Sequence, residues 1–206
     1  PSRGDLHTVK ESQVALFRAV VEADPAQYVR GQYDGYQDIK GVAPGSTTET
    51  YAALRLDIEN WRWAGVPFFL RTGKRMPVTQ TELRLVFARP PRLGFNLPGA
   101  RHPEPDQLIV KLDPSTGVRL LLHARHADAA DDGRPIHLDM EFADEGGEGA
   151  APYEVLLHAA ILGDSRRFTR QDSVEEAWRV LQPLLDAPPP VHPYAPGTWG
   201  PPAADD

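Results

Sequence analysis

The sequence predicts an α+β fold: one large, mainly antiparallel mixed β-sheet with helices packed on one face. Three observations carry this. Apolar residues recur at helical spacing only towards the two ends of the chain, and two-residue alternation fills the middle. Short connections between alternating runs favour antiparallel pairing, and one polar face per strand suits such a sheet.

Taken in order, residues 5–23 place Leu6, Val9, Leu16, Phe17, Val20 and Val21 at roughly helical spacing. Asp24-Pro25 ends that helix, because the residue before a proline is pushed out of the helical region. Residues 27–33 read as a short strand with a glycine inside, and 34–45, with Gly35, Gly41, Pro44 and Gly45, as a loop. The stretch 45–75 organises the rest. Over 50–58, Ala52, Leu54, Leu56 and Ile58 point one way and Tyr51, Arg55 and Asp57 the other, the period of a half-buried strand. A turn at Trp63-Ala-Gly65 leads to the apolar run 66–70 and then to Arg71-Thr-Gly-Lys-Arg75. Leu83, Leu85 and Phe87 share one face of a strand over 81–88. Residues 89–106, with five prolines and two glycines, form a long excursion. Strands are expected over 108–112, 118–123 and 136–142; in the last, Ile136, Leu138, Met140 and Phe142 oppose His137, Asp139 and Glu141.

The final third changes period. Over 153–162, Tyr153, Leu156, Leu157, Ala160 and Ile161 mark one helical face, and Gly163 stops the helix. Asp172 and Glu175 have the spacing of a capping box, and Val174, Ala177, Trp178, Leu181 and Leu185 continue as an apolar stripe. Residues 1–186 are read as one domain and 187–206 as a Pro/Gly-rich arm without periodicity.

Composition narrows the function classes. Hydrophobic residues make up 41% of the 206, enough for a core, while a net charge of −7 argues against a nucleic-acid or anionic-membrane surface. There are no cysteines, which excludes disulfides, thiolate nucleophiles and Cys-ligated metals. No apolar run approaches the roughly 20 residues that span a bilayer, and no signal-peptide pattern opens the chain. A cytoplasmic location is expected. The chain opens on Pro1 rather than Met and is read as part of a longer polypeptide.

Most chemical motifs fail on spacing. No G-x-G-x-x-G follows a strand, and Gly73-Lys74 is not a phosphate-binding P-loop, because Arg75 stands where Ser or Thr belongs. His123, His126 and His137 match no zinc pattern, and Asp128, Asp131 and Asp132 lack the offsets of a calcium loop, so no metal is expected. No nucleophile elbow occurs. Trp61 and Trp63 read as core or edge packing rather than ligand stacking, and Asp57 and Glu59 as solvated strand carboxylates rather than catalytic ones. Arg71-Thr-Gly-Lys-Arg75 has two readings. It is a charged turn ending a strand, or an anion site in which Gly73 permits a tight turn and Lys74 offers a point charge to a phosphate.

Longer strings decide further. Arg30-Gly-Gln-Tyr33, Gly45-Ser-Thr-Thr-Glu-Thr50, Asn60-Trp-Arg-Trp-Ala-Gly-Val-Pro-Phe68 and Leu70-Arg-Thr-Gly-Lys-Arg75 occur in this order. Asp106-Gln-Leu-Ile-Val-Lys-Leu-Asp-Pro114, Pro152-Tyr-Glu154, Gly163-Asp164, Phe168-x-Arg170, Glu176-Ala-Trp178 and Tyr194-Ala-Pro-Gly-Thr-Trp-Gly-Pro201 follow. Together they resemble the C-terminal domain of glucose-6-phosphate dehydrogenase, in its bacterial, actinobacterial-like form, over most of residues 8–205.

The resemblance implies a domain built on a large mixed sheet, with the family's N-terminal Rossmann domain absent from this chain. It implies NADP-dependent oxidation of glucose 6-phosphate to 6-phosphogluconolactone, the first step of the pentose phosphate pathway. The catalytic residues and most NADP contacts would then lie outside the chain, leaving no catalytic residue within it. Lys74 matches the family lysine that contacts the sugar phosphate. A second substrate-contacting cation of the family falls on Thr79 here, so either Arg75 compensates, affinity is weakened, or the substrate differs. Residues 1–186 become the substrate-binding and dimerisation domain, forming a homodimer or tetramer through the sheet. The family's Y-E-R-L-x-x-D becomes Tyr153-Glu-Val155-Leu-Leu-His-Ala159. Arg84 and Lys111 sit where some relatives bind a second, structural NADP, but Gln80 and Leu121 replace cations there. The competing reading is a non-catalytic assembly domain.

Overall fold

The computed structural model describes residues 6–89, 104–124, 134–142 and 152–205. Among the described residues, three α-helices, α1 (Leu6–Ala19), α2 (Pro152–Ile161) and α3 (Gln171–Asp186), accompany eight strands. These are β1 (Tyr28–Tyr33), β2 (Tyr51–Leu56), β3 (Phe68–Gly73), β4 (Thr81–Val86), β5 (Gln107–Asp113), β6 (Gly117–Ala124), β7 (Arg134–Glu141) and β8 (Val191–Tyr194). The α+β class holds. The strands fall into two four-stranded sheets, where the alternation alone drew one.

The chain parts into two compact units, Pro1–Pro77 with Ala150–Asp206, and Val78–Gly149. In the first, the order is β3-β2-β1-β8. β1, β2 and β3 run antiparallel, whereas β8 lies parallel to β1, which makes the sheet mixed. Within the expected arm over 187–206, Val191–Tyr194 form β8, paired with β1. With only four residues, one of them a proline, β8 has no room to display a period. The second unit is an antiparallel ladder in the order β4-β5-β6-β7. Its pairs Leu120↔Leu138 and Val118↔Met140 alternate with the charged pair Arg119↔Asp139, so one face is apolar and the other salt-bridged.

The first unit's core gathers Val20, Ile58 and Val180, with Ala19, Leu56, Trp63 and Phe68 packed against them. Trp63 meets Phe68 edge to face at 5.4 Å, while Trp61 is 88% exposed beneath the Arg62 guanidinium. Trp63 thus packs as its apolar area requires, and Trp61, expected to do the same, does not. Arg179 of α3 donates from Nη2 to the carbonyls of Phe17 and Val20, tying α3 to the end of α1 and the residue after it.

The helices bury faces other than the richest ones. Val14 is the most buried residue of α1, and Val9, Leu16, Phe17 and Val21 are exposed. α3 buries Ser173, Val180 and Leu184 and exposes Val174, Trp178, Leu181 and Leu185. α2 is apolar nearly all round, so periodicity cannot select a face; it buries Ala159 and exposes Tyr153, Leu157 and Ile161. The expected capping box does not form. Arg170 occupies the N-cap, the Asp172 carboxylate takes the Arg170 guanidinium, and Glu175 accepts from Gln171. His126, Asp128, Asp131, Asp132 and most of the 89–106 excursion lie outside the described residues.

Candidate functional site

The site begins with what holds the chain ahead of β2. The Arg30 side chain on β1 donates to the Thr47 and Pro189 carbonyls and to the Glu49 carboxylate at 2.8 Å. Gln32, two residues on and so on the same face, donates from its amide to the carbonyls of Ser46 and Thr48. Burial pushes the Glu49 carboxyl up, but the Arg30 hydrogen bond and its neighbours outweigh that and leave it below its ordinary value. Burial, then the Glu49 charge, raises the Tyr28 phenol beside it. The segment 46–50 is thereby fixed along its backbone.

Antiparallel pairing of β2 with β3 sets Tyr51 opposite Gly73. The Tyr51 ring, 1% exposed, crosses directly over that glycine. A Cβ at position 73 would lie 2.8 Å from Tyr51 Cδ2 and 3.0 Å from Met76 Sδ. Gly73 is needed for this close approach and not for its dihedral angles. The residue in the left-handed region is Arg75, at φ 55°. This corrects the role expected of Gly73: the left-handed residue of the turn after β3 is Arg75, two residues later.

The peptide of Lys74 is held at both ends. Its N–H donates to the Thr50 carbonyl at 2.8 Å, and its carbonyl accepts from the Tyr194 hydroxyl at 2.7 Å. The next carbonyl, of Arg75, accepts from the Gly197 N–H at 2.7 Å. Of the three cations, the Arg71 guanidinium lies 3.7 Å from Asp205 and that of Arg75 lies over the Tyr33 ring at 5.9 Å. The Lys74 side chain is exposed and, among the described residues, has no hydrogen-bond or ion-pair partner. The structure thus places Arg71 in β3 and Lys74 and Arg75 on the turn that follows it, with Lys74 the cation left available among the described residues. Thr79 is exposed and belongs to the second unit, since the chain divides between Pro77 and Val78.

Tyr194, Gly197 and Asp205, which hold this turn, come from the segment read as an arm. No local period marks them; only the resemblance of the Tyr194–Pro201 string pointed there. Asp57 pairs with Arg55 at 3.2 Å and is not set apart for proton transfer.

On the second sheet, the described cations at the positions in question are engaged by neighbouring groups. Arg84 is engaged by Glu82 and Gln107, and Lys111 by Asp139 and Glu141. Gln80 and Leu121 stand at the neighbouring positions, so among the described residues the two cations at these positions are both already paired. Among the described residues, no three His, Asp or Glu side chains gather as metal ligands, and no helix is long and apolar enough to cross a membrane.

Comparison with known proteins agrees with the fold and its motifs. The model of the family described as glucose-6-phosphate dehydrogenase, C-terminal domain, matches residues 1–206. The chain is 50% identical over 196 residues to glucose-6-phosphate 1-dehydrogenase 1 of Mycobacterium tuberculosis, covering 95% of this chain and 41% of that protein. The crystal structure of glucose-6-phosphate 1-dehydrogenase from Mycobacterium avium superposes with a TM-score of 0.87 at 46% identity, over 99% of this chain and 43% of that one. A glucose-6-phosphate dehydrogenase solved in complex with its substrate glucose-6-phosphate gives a TM-score of 0.80 at 28% identity, over 98% and 44% respectively. The chain spans about 41% of the length of the first of these relatives. It belongs to the glucose-6-phosphate dehydrogenase C-terminal domain family.

Proposed function

We propose that this chain is the substrate-binding and dimerising part of an NADP-dependent glucose-6-phosphate 1-dehydrogenase, in which Lys74 contacts the phosphate of glucose 6-phosphate. The observation that carries this is the free Lys74 ammonium on a turn whose peptide groups are already bonded. A phosphate that meets such a group does not have to order the backbone first, and less affinity is lost to that ordering. A relative solved with glucose-6-phosphate shares the fold at 28% identity, which supports the substrate class.

Arg75 adds positive potential beside Lys74 while its guanidinium rests on Tyr33. Thr79 carries no charge, so phosphate affinity rests on Lys74. NADP supplies hydride acceptance and is held mainly by polypeptide outside this chain, as are the groups that move the C1 hydroxyl proton. The chain alone is therefore inactive, because the reacting groups have to be held together. Leu83, Ile136, Leu138 and Met140 expose apolar surface on the second sheet, which supports assembly into a homodimer or a tetramer through it.

The test is glucose 6-phosphate-dependent NADP reduction by the full-length enzyme and its Lys74→Ala variant. A hydrogen bond to a charged group contributes about 1.5–3 kcal/mol, so kcat/KM falls about 10- to 150-fold, mostly through KM. Unchanged kinetics would remove Lys74 from the site.

A further inference from the structure

We infer that Tyr194 is a positioning residue for substrate phosphate: its hydroxyl, at the end of a short hydrogen-bond relay, fixes the Lys74 peptide and so aims the Lys74 ammonium. This rests on the reading of Lys74 as the phosphate contact.

The direction of the relay follows from counting protons. The Tyr33 N–H donates to Thr50 Oγ1 at 3.0 Å, which leaves the Thr50 hydroxyl proton free to donate onward. Thr50 Oγ1 and the Tyr194 hydroxyl are 3.1 Å apart. Tyr194 has one proton, and the Lys74 carbonyl at 2.7 Å is its shortest acceptor; the Thr50 carbonyl lies further off at 3.2 Å. Donation thus runs from Tyr33 through Thr50 and Tyr194 to Lys74, and each hydroxyl both accepts and donates.

The donor at the end of this relay is itself fixed. Tyr194 is the last residue of β8 and 3% exposed, its carbonyl accepts the Asp34 N–H at 2.9 Å, and it pairs in register with Tyr33. Its ring packs against Tyr51 at 5.6 Å and Tyr33 at 6.4 Å. The turn it holds needs holding, because Arg75 adopts the left-handed region without being glycine. Loss of the hydroxyl leaves the Lys74 carbonyl without this donor and loosens the turn, though the Lys74 N–H and the Arg75 carbonyl stay bonded to Thr50 and Gly197; the ammonium, the ring packing and the parallel strand pair all remain.

The experiment compares full-length enzyme carrying Tyr194→Phe, Lys74→Ala or both. Tyr194→Phe is expected to raise KM for glucose 6-phosphate three- to tenfold, leave KM for NADP unchanged and keep kcat within about twofold. The double variant is expected to be no worse than Lys74→Ala alone, because both changes remove one interaction. If Lys74→Ala raises KM and Tyr194→Phe does not, the positioning role fails and the phosphate contact stands. Multiplying effects in the double variant would equally overturn it, since Tyr194 would then act elsewhere. A silent Lys74→Ala sinks both readings. Should Tyr194→Phe not fold, Thr50→Val removes the donor that orients the Tyr194 hydroxyl towards the Lys74 carbonyl and is expected to raise KM for glucose 6-phosphate by a smaller factor; an unchanged value overturns the relay.

Discussion

Gly200 lies so close to the ring of Tyr51 that a Cβ there would fall 2.3 Å from Cε2 and 2.4 Å from Cζ. Its φ of 113° is also one that side chains rarely adopt. The C-terminal segment thus closes over Tyr51 from one side while Gly73 lies against its ring from another.

Gly200→Ala is expected to destabilise the protein, because the methyl group meets a fully buried ring that has nowhere to move. Overpacking of a tight core costs about 1–3 kcal/mol and the unfavourable dihedral adds about 1 kcal/mol or more. Denaturant unfolding checks this. A midpoint equal to that of the unsubstituted protein would show that the segment does not seat on Tyr51.

Tyr51 carries a second consequence. Its hydroxyl is buried and has no hydrogen-bond partner among the described residues, and burial above all holds the phenol above its ordinary pKa. An unsatisfied buried polar group costs about 1–3 kcal/mol, so Tyr51→Phe removes a penalty and keeps the ring. The variant is expected to be as stable as the parent or more so, by up to about 1 kcal/mol. A clear loss of stability would mean that the hydroxyl is bonded in solution.

These residues also show what the sequence made legible. Alternation over 136–142 located β7, because one face of an antiparallel ladder is charged and cross-strand pairs such as Arg119–Asp139 sit on it. In β2 the alternation puts Leu56 and Ile58 on the core side, but Tyr51, on the other side with Arg55 and Asp57, is buried too, and more deeply. The reason is that β2 is covered at one end by residues 194–201, far away in sequence, which no local window registers. The same long-range dependence hid β8, and with it the Tyr194 hydroxyl. Lys74 emerged from its motif; the groups that hold it depend on which distant strand lies beside β1.

Electrostatics gives the last prediction, at Asp164. Its carboxylate accepts from the Arg166 side chain at 2.7 and 2.8 Å and from the Arg166 N–H at 3.0 Å, capping the short helical turn Ser165–Arg167. The guanidinium hydrogen bond, then the backbone one, lower the carboxyl pKa from its ordinary 3.8 to about 2. Because the folded value is depressed, this contribution to stability is fully present above about pH 4 and is lost as pH falls through about 2. The folded protein is expected to titrate Asp164 near 2 by carboxyl carbon NMR. Asp164→Asn, which keeps an oxygen for the Arg166 N–H but removes the charge, is expected to lessen the acid sensitivity of stability between about pH 4 and 2. An Asp164 midpoint near 4 would show that Arg166 does not stay on the carboxylate, and the acid sensitivity of the two proteins would then be the same.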